Sequence, residues 1–338
     1  MMRTLLAAGF FFACSLAAAC PLCTGTAAKS SSQDLVDLPR AVLAEPQGKG
    51  YKVVAVIKGA TPAPMLEDVV ARDPAMPGKA LLLVRDEAWP MWVSLGSVSP
   101  RHAAVLRGLA ARPPDATDAA AWRRRLDLAL PHLASRDALL AEIAYDASAS
   151  APYASLRAAG TKVDAPTLRR LAGDPALASR QPLHILLLGI AGGPRDAETI
   201  EAQLDAALAS RDATTVGALL AADLELRGPS RVAWVEHRYL RDASRTTAEM
   251  QAALLALGVQ ANSGGAITRE RVIDAYRVFM RQHPDMAGLV APDLAAWRYW
   301  DAAPEYQALL RANVRQQYAS LAAIVSYLRE SELAAGAQ

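Results

Sequence analysis

The strongest constraint on the fold is a change of sequence pattern at Ser99-Pro100. From there almost to the end of the chain, apolar residues recur every three or four positions, alanine dominates, and runs of β-branched residues disappear. This pattern favours amphipathic helices. Breakers divide the region into lengths that suit short helices joined as hairpins. They are Pro113-Pro114, Gly160, Gly173, Gly192-Gly193-Pro194, Gly228-Pro229, Gly264-Gly265, Pro284 and Pro292. The sequence therefore predicts a helical-repeat domain over 99–331 and a tail over 332–338.

Several of the predicted helices begin at capping residues. Asp164 and Thr268 each precede a helical pattern, and Thr246 with Glu249 has the spacing of a capping box. Paired helices of roughly 30 to 40 residues stacked in series are the architecture of a HEAT-like α-solenoid. The period is loose in this chain, so an irregular helical bundle is the structural alternative.

A β-rich segment precedes the helices. Residues 51–58, 80–84 and 91–95 concentrate β-branched and aliphatic residues between glycine and proline breaks, which is the pattern of strands. They predict a small β domain over 51–98, either a sheet or an open barrel. A cysteine-containing segment over 20–50 precedes this domain, and its mixed, polar residues 27–50 predict a loop or short helix leading into it. The expected fold class is α+β, a small N-terminal β domain followed by the helical solenoid or bundle.

The first residues have the pattern of a signal peptide over 1–19. Arg3 is the only charged residue before Cys20, and the apolar run that follows it ends in Ala17-Ala18-Ala19. The run is shorter than the roughly 20 apolar residues that span a bilayer. The sequence therefore predicts an extracytoplasmic protein, periplasmic or secreted, whose mature chain begins with Cys20-Pro21-Leu22-Cys23.

Cys20 and Cys23 are the two cysteines that remain after this cleavage, and several roles are open for them. In an oxidising compartment they can form a disulfide. Cys20 can carry a lipid tether, although the large aliphatic residue of a lipobox, Leu16, lies one position too early. Redox exchange and soft-metal binding are the remaining alternatives. Covalent haem is excluded because residue 24 is threonine rather than histidine. No other cofactor is predicted.

Two parts of the helical region resemble an uncharacterised family of secreted bacterial proteins. The first includes Leu168-Arg169-Arg170-Leu171, Asp174-Pro175 and Leu186-Leu187-Leu188-Gly189; the second includes Ile267-Thr268-Arg269-Glu270-Arg271, Asp285-Met286-Ala287-Gly288-Leu289-Val290, Asp293-Leu294-Ala295-Ala296-Trp297 and Trp300. The resemblance covers most of the mature chain. It implies a Cys-Pro-x-Cys mature N-terminus, a β-rich N-terminal segment and a HEAT-like helical remainder, and it implies no reaction and no catalytic residues.

The short motifs that usually carry catalysis are missing from the sequence. It contains no G-x-S-x-G nucleophile elbow, no H-E-x-x-H zinc helix and no G-x-x-x-x-G-K phosphate loop, and its five histidines are scattered singly. Glu236-His237 places an acid beside a histidine, but general base chemistry needs a third group. The sequence accordingly favours a protein that is not an enzyme.

The aromatic cluster near the C-terminus is the candidate binding surface. Trp297 and Trp300 are three residues apart, which places them on one face of a predicted helix, and Arg298 lies between them. Tryptophan and arginine are enriched at binding hot spots. The alternative is a core helix wedged between repeats.

Together these features predict a binding or scaffold protein that acts on a protein or peptide partner through its helical-repeat surface. The alternative function is thiol-dependent redox chemistry or soft-metal handling at Cys20 and Cys23, with the helical part as a docking module. Nucleic acid is not an expected partner because the charge is nearly balanced and no basic block stands out. A membrane is expected to be contacted only through a lipid tether at Cys20.

Overall fold

The computed structural model describes residues 22, 30–71, 74–262, 265–312 and 314–336. Within them, strands near the N-terminus form one six-stranded sheet, and most of the remainder is helical. The strands are β1 (Arg40–Gln47), β2 (Gly50–Lys58), β3 (Met65–Leu66), β4 (Val69–Val70), β5 (Ala80–Arg85) and β6 (Trp92–Val98). The predicted α+β class is confirmed.

The sheet curls into a nearly closed barrel. Its strand order is β3-β2-β1-β5-β6-β4, and every neighbouring pair is antiparallel except β4 with β6. The two edge strands are only two residues long and follow each other in the chain, so little unpaired edge is left exposed.

Strand β1 lies where the sequence predicts a loop or a short helix. A short helix is present, α1 (Ser31–Asp37), but the prediction is wrong for 40–47. The core of β1, Ala41-Val42-Leu43-Ala44, is fully buried because β2 and β5 pair with it on either side. A strand buried on both faces lacks the alternation of polar and apolar residues that identifies a half-exposed strand.

The two faces of the sheet have different roles. Val42, Leu81, Leu83 and Trp92 pack together inside the barrel. Residues between them in sequence point the other way, since successive side chains of a strand alternate; Leu43, Leu82, Val84 and Val98 belong to the core that the barrel shares with the helices. The β domain is therefore packed directly against the helical region.

The described part of the helical region contains fourteen α-helices after α1. They are α2 (Ala103–Leu109), α3 (Ala119–Ala129), α4 (Ala138–Ala149), α5 (Tyr153–Ala159), α6 (Ala165–Ala172), α7 (Gln181–Ala191), α8 (Pro194–Ser210), α9 (Val216–Arg227), α10 (Arg231–Val235), α11 (Thr247–Asn262), α12 (Arg269–Gln282), α13 (Ala291–Ala296), α14 (Ala303–Arg311) and α15 (Tyr318–Gly336). Helices adjacent in sequence pack as pairs, such as α6 with α7 and α8 with α9. Helices α7, α9 and α11 lie side by side.

Three helix starts predicted from capping residues are confirmed. The Asp164 carboxylate accepts a hydrogen bond from Thr167 N at 3.0 Å before α6. Thr246 and Glu249 cap α11 reciprocally, with side-chain to backbone distances of 2.7 and 3.2 Å. Thr268 accepts from the backbone of α12 in the same manner. These contacts satisfy backbone donors that have no partner within the helix.

A buried carboxylate connects the barrel to the helices. Asp137, just before α4, accepts hydrogen bonds from Lys79 Nζ at 2.5 Å and from Ser99 N at 3.3 Å. Burial raises the pKa of Asp137, but these two hydrogen bonds and the lysine charge outweigh it, so that its pKa lies below the ordinary value. Because Lys79 precedes β5 and Ser99 follows β6, the ionised Asp137 fixes the sheet against α4.

Candidate functional site

A cleft in the described part of the chain has a volume of about 1110 Å³. Its walls come from α1, from α4, from the turn before α7, and from the neighbouring helices α9 and α11. Pairwise packing of the helices produces this arrangement, because elements distant in sequence then face one another across the gap. The cleft is therefore a product of the helical array as a whole.

The N-terminal part of the chain contributes two described pieces to this cleft. One is Leu22, and the other is Ser30 with the α1 residues that follow it. Ser30 caps α1 by accepting a hydrogen bond from Gln33 N at 3.3 Å. Leu35 on α1 is completely buried, and α1 packs on α4. The predicted thiol, lipid and metal roles of Cys20 and Cys23 lie outside the described residues.

Leu22 occupies a specific position on α9. Its side chain is only 8% exposed and is part of the main hydrophobic core. A Cβ placed on Gly217 would lie 2.9 Å from Leu22 Cδ2, whereas its next neighbours, both atoms of Ala252, would lie at ordinary distances of 3.5 and 3.8 Å. The absence of a side chain at Gly217 thus creates the room that the leucine fills. We call the position formed by Gly217 and Ala252 the glycine subsite.

Charged groups lie across the cleft on α4 and on the turn before α7. Arg180 Nη2 is 3.2 Å from Glu142 Oε2, and the Arg180 guanidinium lies 6.0 Å from the ring centre of Tyr145. Asp146 follows Glu142 by one helical turn and has a raised pKa, chiefly because of burial and further because of the Glu142 charge. The Ser30 hydroxyl and Arg180 oppose this shift.

A buried histidine packs next to these charged groups, against Tyr145. His184 on α7 is buried and packs edge-on against Tyr145, with ring centres 5.6 Å apart. Burial, aided by the charge of Arg180, lowers the pKa of His184 to about 4, so the imidazole is neutral at physiological pH. It acts there as a packing residue.

The groups that the cleft offers a ligand are hydroxyls, carboxylates, the Gln33 amide and the Arg180 guanidinium. The Arg125 guanidinium also lines the cleft but donates to the backbone carbonyls of Ala111 and Leu109.

The aromatic residues predicted to form a binding surface are arranged differently from expectation. α13 ends at Ala296, and Arg298 adopts a left-handed conformation with φ of 56°. Trp297 stacks on Tyr276 with ring centres 5.7 Å apart, whereas Trp300 packs against another aromatic ring, Tyr327 on α15, at 5.3 Å. The prediction of one shared helical face is therefore wrong, because the helix ends before both residues. A binding role for Trp297, Arg298 and Trp300 stays a prediction.

The adjacent acid and histidine on the helical turn after α10 do not act as a pair, because the acid is bound by arginines and the histidine is exposed. Glu236 lies in a π-helical turn and is buried, and its carboxylate binds Arg271 Nη1 at 2.6 Å and lies 3.9 Å from Arg241 Nη2. His237 is exposed beside a smaller cleft of about 290 Å³. Glu236 is thus held in a structural ion pair between helices.

The cleft residues were not identified by sequence reasoning. Gly217, Glu142, Asp146 and Arg180 belong to three different elements, and none has a motif around it. Only Leu22 carried a signal, through the cysteines on either side of it in the sequence. Residues that meet across a helical array leave no fixed spacing in the chain.

The described residues contain no group of three or more histidine, cysteine, aspartate or glutamate residues arranged to hold a metal ion. No helix among them combines the length and the hydropathy needed to cross a membrane.

Comparisons with known proteins add no assignment. No protein-family model, curated protein or solved structure matches the chain. The resemblance to a secreted family with a Cys-Pro-x-Cys start accordingly stays a prediction from the sequence.

Proposed function

We propose that this protein is an extracytoplasmic binding protein that holds an extended polypeptide in the cleft between α4, α9 and α11. The observation that carries the proposal is the placement of Leu22 at the glycine subsite. A leucine of the chain itself fills this position. This supports the proposal, because a cleft that accommodates one segment of polypeptide has the width and the chemistry to accommodate another. The extracytoplasmic location rests on the signal-peptide pattern at residues 1–19.

The lining of the cleft agrees with a peptide ligand. The glycine subsite receives a branched aliphatic side chain, and burial of such a side chain contributes about 1.5 to 3 kcal/mol. Beyond it, the Ser30 hydroxyl, the Asp146 carboxyl and the Arg180 guanidinium provide hydrogen-bond donors and acceptors for backbone amides. Apolar anchoring with a few polar contacts that fix orientation is typical of ligand sites.

The test is a titration of synthetic peptides into the Leu22→Ala variant. The variant is used because a side chain of the same molecule competes at a high effective concentration. The probe is a labelled peptide, SPLSTGTAAK, which copies residues 20–29 with serine in place of both cysteines. A matched peptide carries alanine instead of leucine. We expect the leucine peptide to bind about 10- to 100-fold more tightly, from the free energy of burying the larger side chain.

A second substitution provides the control. Gly217→Ala, added to Leu22→Ala, places a methyl group in the subsite while leaving ordinary contacts to Ala252. It is expected to abolish the preference for the leucine peptide without lowering the thermal stability, since alanine favours a helix more than glycine does. Equal affinity for both peptides, or no saturable binding of either, contradicts the proposal.

A further inference from the structure

The last described helix, α15, is firmly attached through one face. Ile324 and Tyr327 are buried on that face. The Ser320 hydroxyl accepts a hydrogen bond from Gly288 N at 2.9 Å, and the Tyr327 hydroxyl donates to the backbone carbonyl of Tyr299. The orientation of α15 on the helical region is thus fixed, and so is the face that it turns outward.

The outward face carries an apolar stripe. Tyr318 is 89% exposed, Leu321 39% and Val325 52%, and their spacing of three and four residues places them on one side of the helix. Arg329 and Glu332 continue the same stripe by one helical turn each. Within the described part of the chain, neither of these two makes an ion pair. We call these five residues the α15 stripe.

We propose that the α15 stripe is the interface of a homodimer in which α15 of one copy packs antiparallel on α15 of a second copy. In a two-fold symmetric contact each surface pairs with itself. We place the two-fold axis at Val325. A residue that precedes position 325 in one copy then faces the residue that follows position 325 by the same number of positions in the other copy. Tyr318 of one copy then faces Glu332 of the other, and Leu321 faces Arg329.

The chemistry of these pairs is the reason for choosing a second copy as the partner. The Tyr318 hydroxyl can donate a hydrogen bond to the Glu332 carboxylate, and Leu321 can pack on the aliphatic stem of Arg329. Each contact occurs twice because of the symmetry. The polar end of the stripe thus supplies the partner for its aromatic end, and the stripe is complementary to itself over roughly 21 Å of helix.

A parallel pairing is disfavoured by the same residues. It would place Arg329 opposite Arg329 and Glu332 opposite Glu332, and like charges at close range repel. It would also align the two helix dipoles, whereas antiparallel packing opposes them. The charges on the stripe therefore select the antiparallel arrangement.

Cysteine cross-linking tests the register. In a full-length chain whose three natural cysteines are replaced by serine, Val325→Cys lies at the axis and is expected to form an intermolecular disulfide under mild oxidation. Leu321→Cys is the matched control. The two copies of residue 321 are separated by eight positions, roughly 12 Å along the helix, which exceeds the reach of a disulfide. It is expected to form no intermolecular disulfide under the same conditions.

Sedimentation tests the association without cross-linking. The unmodified chain is expected to sediment as a dimer, and Val325→Asp as a folded monomer, since residue 325 is exposed and its replacement leaves the packed face intact. Ala319→Asp, an exposed position on the same helix beside the stripe, is expected to remain dimeric. A monomeric unmodified chain overturns the proposal, as does equal cross-linking of Leu321→Cys and Val325→Cys.

Discussion

Replacing Asp196 by alanine should remove two separable contributions to stability. Asp196 is in the first turn of α8, and its side chain is almost completely buried. One carboxylate oxygen accepts from Arg169 Nε at 2.5 Å; the other accepts from Arg169 Nη2 at 3.0 Å and from Gly193 N at 2.9 Å. The same carboxylate thus caps α8 and holds α8 against α6.

The magnitude follows from the exposure of each partner. Loss of the capping-box hydrogen bond from Gly193 N to the carboxylate costs about 1 kcal/mol. The Arg169 side chain is half exposed, so the ion pair is screened and contributes at most about 1 kcal/mol. Asp196→Ala should therefore lower the free energy of unfolding by about 1 to 2 kcal/mol. Arg169→Ala removes only the ion pair and should cost no more than about half as much.

The pKa of Asp196 adds a pH signature. Hydrogen bonding from Arg169 lowers this pKa, with help from Gly193 N, and burial opposes the shift only partly. A carboxyl whose folded pKa is depressed stabilises the folded state above its unfolded pKa of about 4 and loses that effect as the pH falls through the folded value. The difference in the free energy of unfolding between the original chain and Asp196→Ala should accordingly have its full value at pH 7 and become smaller as the pH falls below about 4.

Urea unfolding followed by far-UV circular dichroism, at pH 7 and at several acidic pH values, measures both effects. If Arg169→Ala costs as much as Asp196→Ala, the cap contributes nothing and the reasoning fails. A difference that stays constant down to pH 2 would equally refute it.

Three other substitutions test the packing. Gly189→Ala should lower the melting temperature because its Cβ would lie 2.5 Å from Ala222 Cα, and such overpacking costs about 1 to 3 kcal/mol; an unchanged melting temperature contradicts the close approach of α7 and α9. Tyr276→Phe should cost about 1 to 3 kcal/mol in urea unfolding because it leaves the partly buried Asp293 carboxyl, 2.6 Å from the tyrosine hydroxyl, without this partner. Asp137→Asn should destabilise the chain above about pH 4 and have little effect below its lowered pKa, as measured by thermal melts across that range.

The helical region shows which structural features local sequence patterns predict correctly. Its capping residues gave correct starts for α6, α11 and α12, because a cap depends on contacts within one turn. Strand β1 was missed, since its burial on both faces comes from partners that follow it in the chain. The same limit explains Trp297 and Trp300, whose spacing fits a helix that in fact ends before them, at Ala296.

The candidate cleft shows how little of the functional site the sequence alone predicts. The sequence drew attention to Leu22 only through its neighbouring cysteines, and nothing in the chain connects it with Gly217, almost two hundred positions away. Glycine has many local uses, so its role as a subsite emerges only when a side chain from elsewhere is placed against it. The exposed stripe on α15 likewise has the spacing of an ordinary core face.

The sequence by itself determined the α+β class, the order of a small β part before a long helical part, and several helix starts. These features depend on composition and on contacts between residues close in the chain. The tertiary structure decided which strands pair, which apolar face of a helix is buried, and which side chains line the cleft. Those outcomes depend on packing between distant segments, and the free energy of such packing belongs to the assembled core rather than to any local stretch.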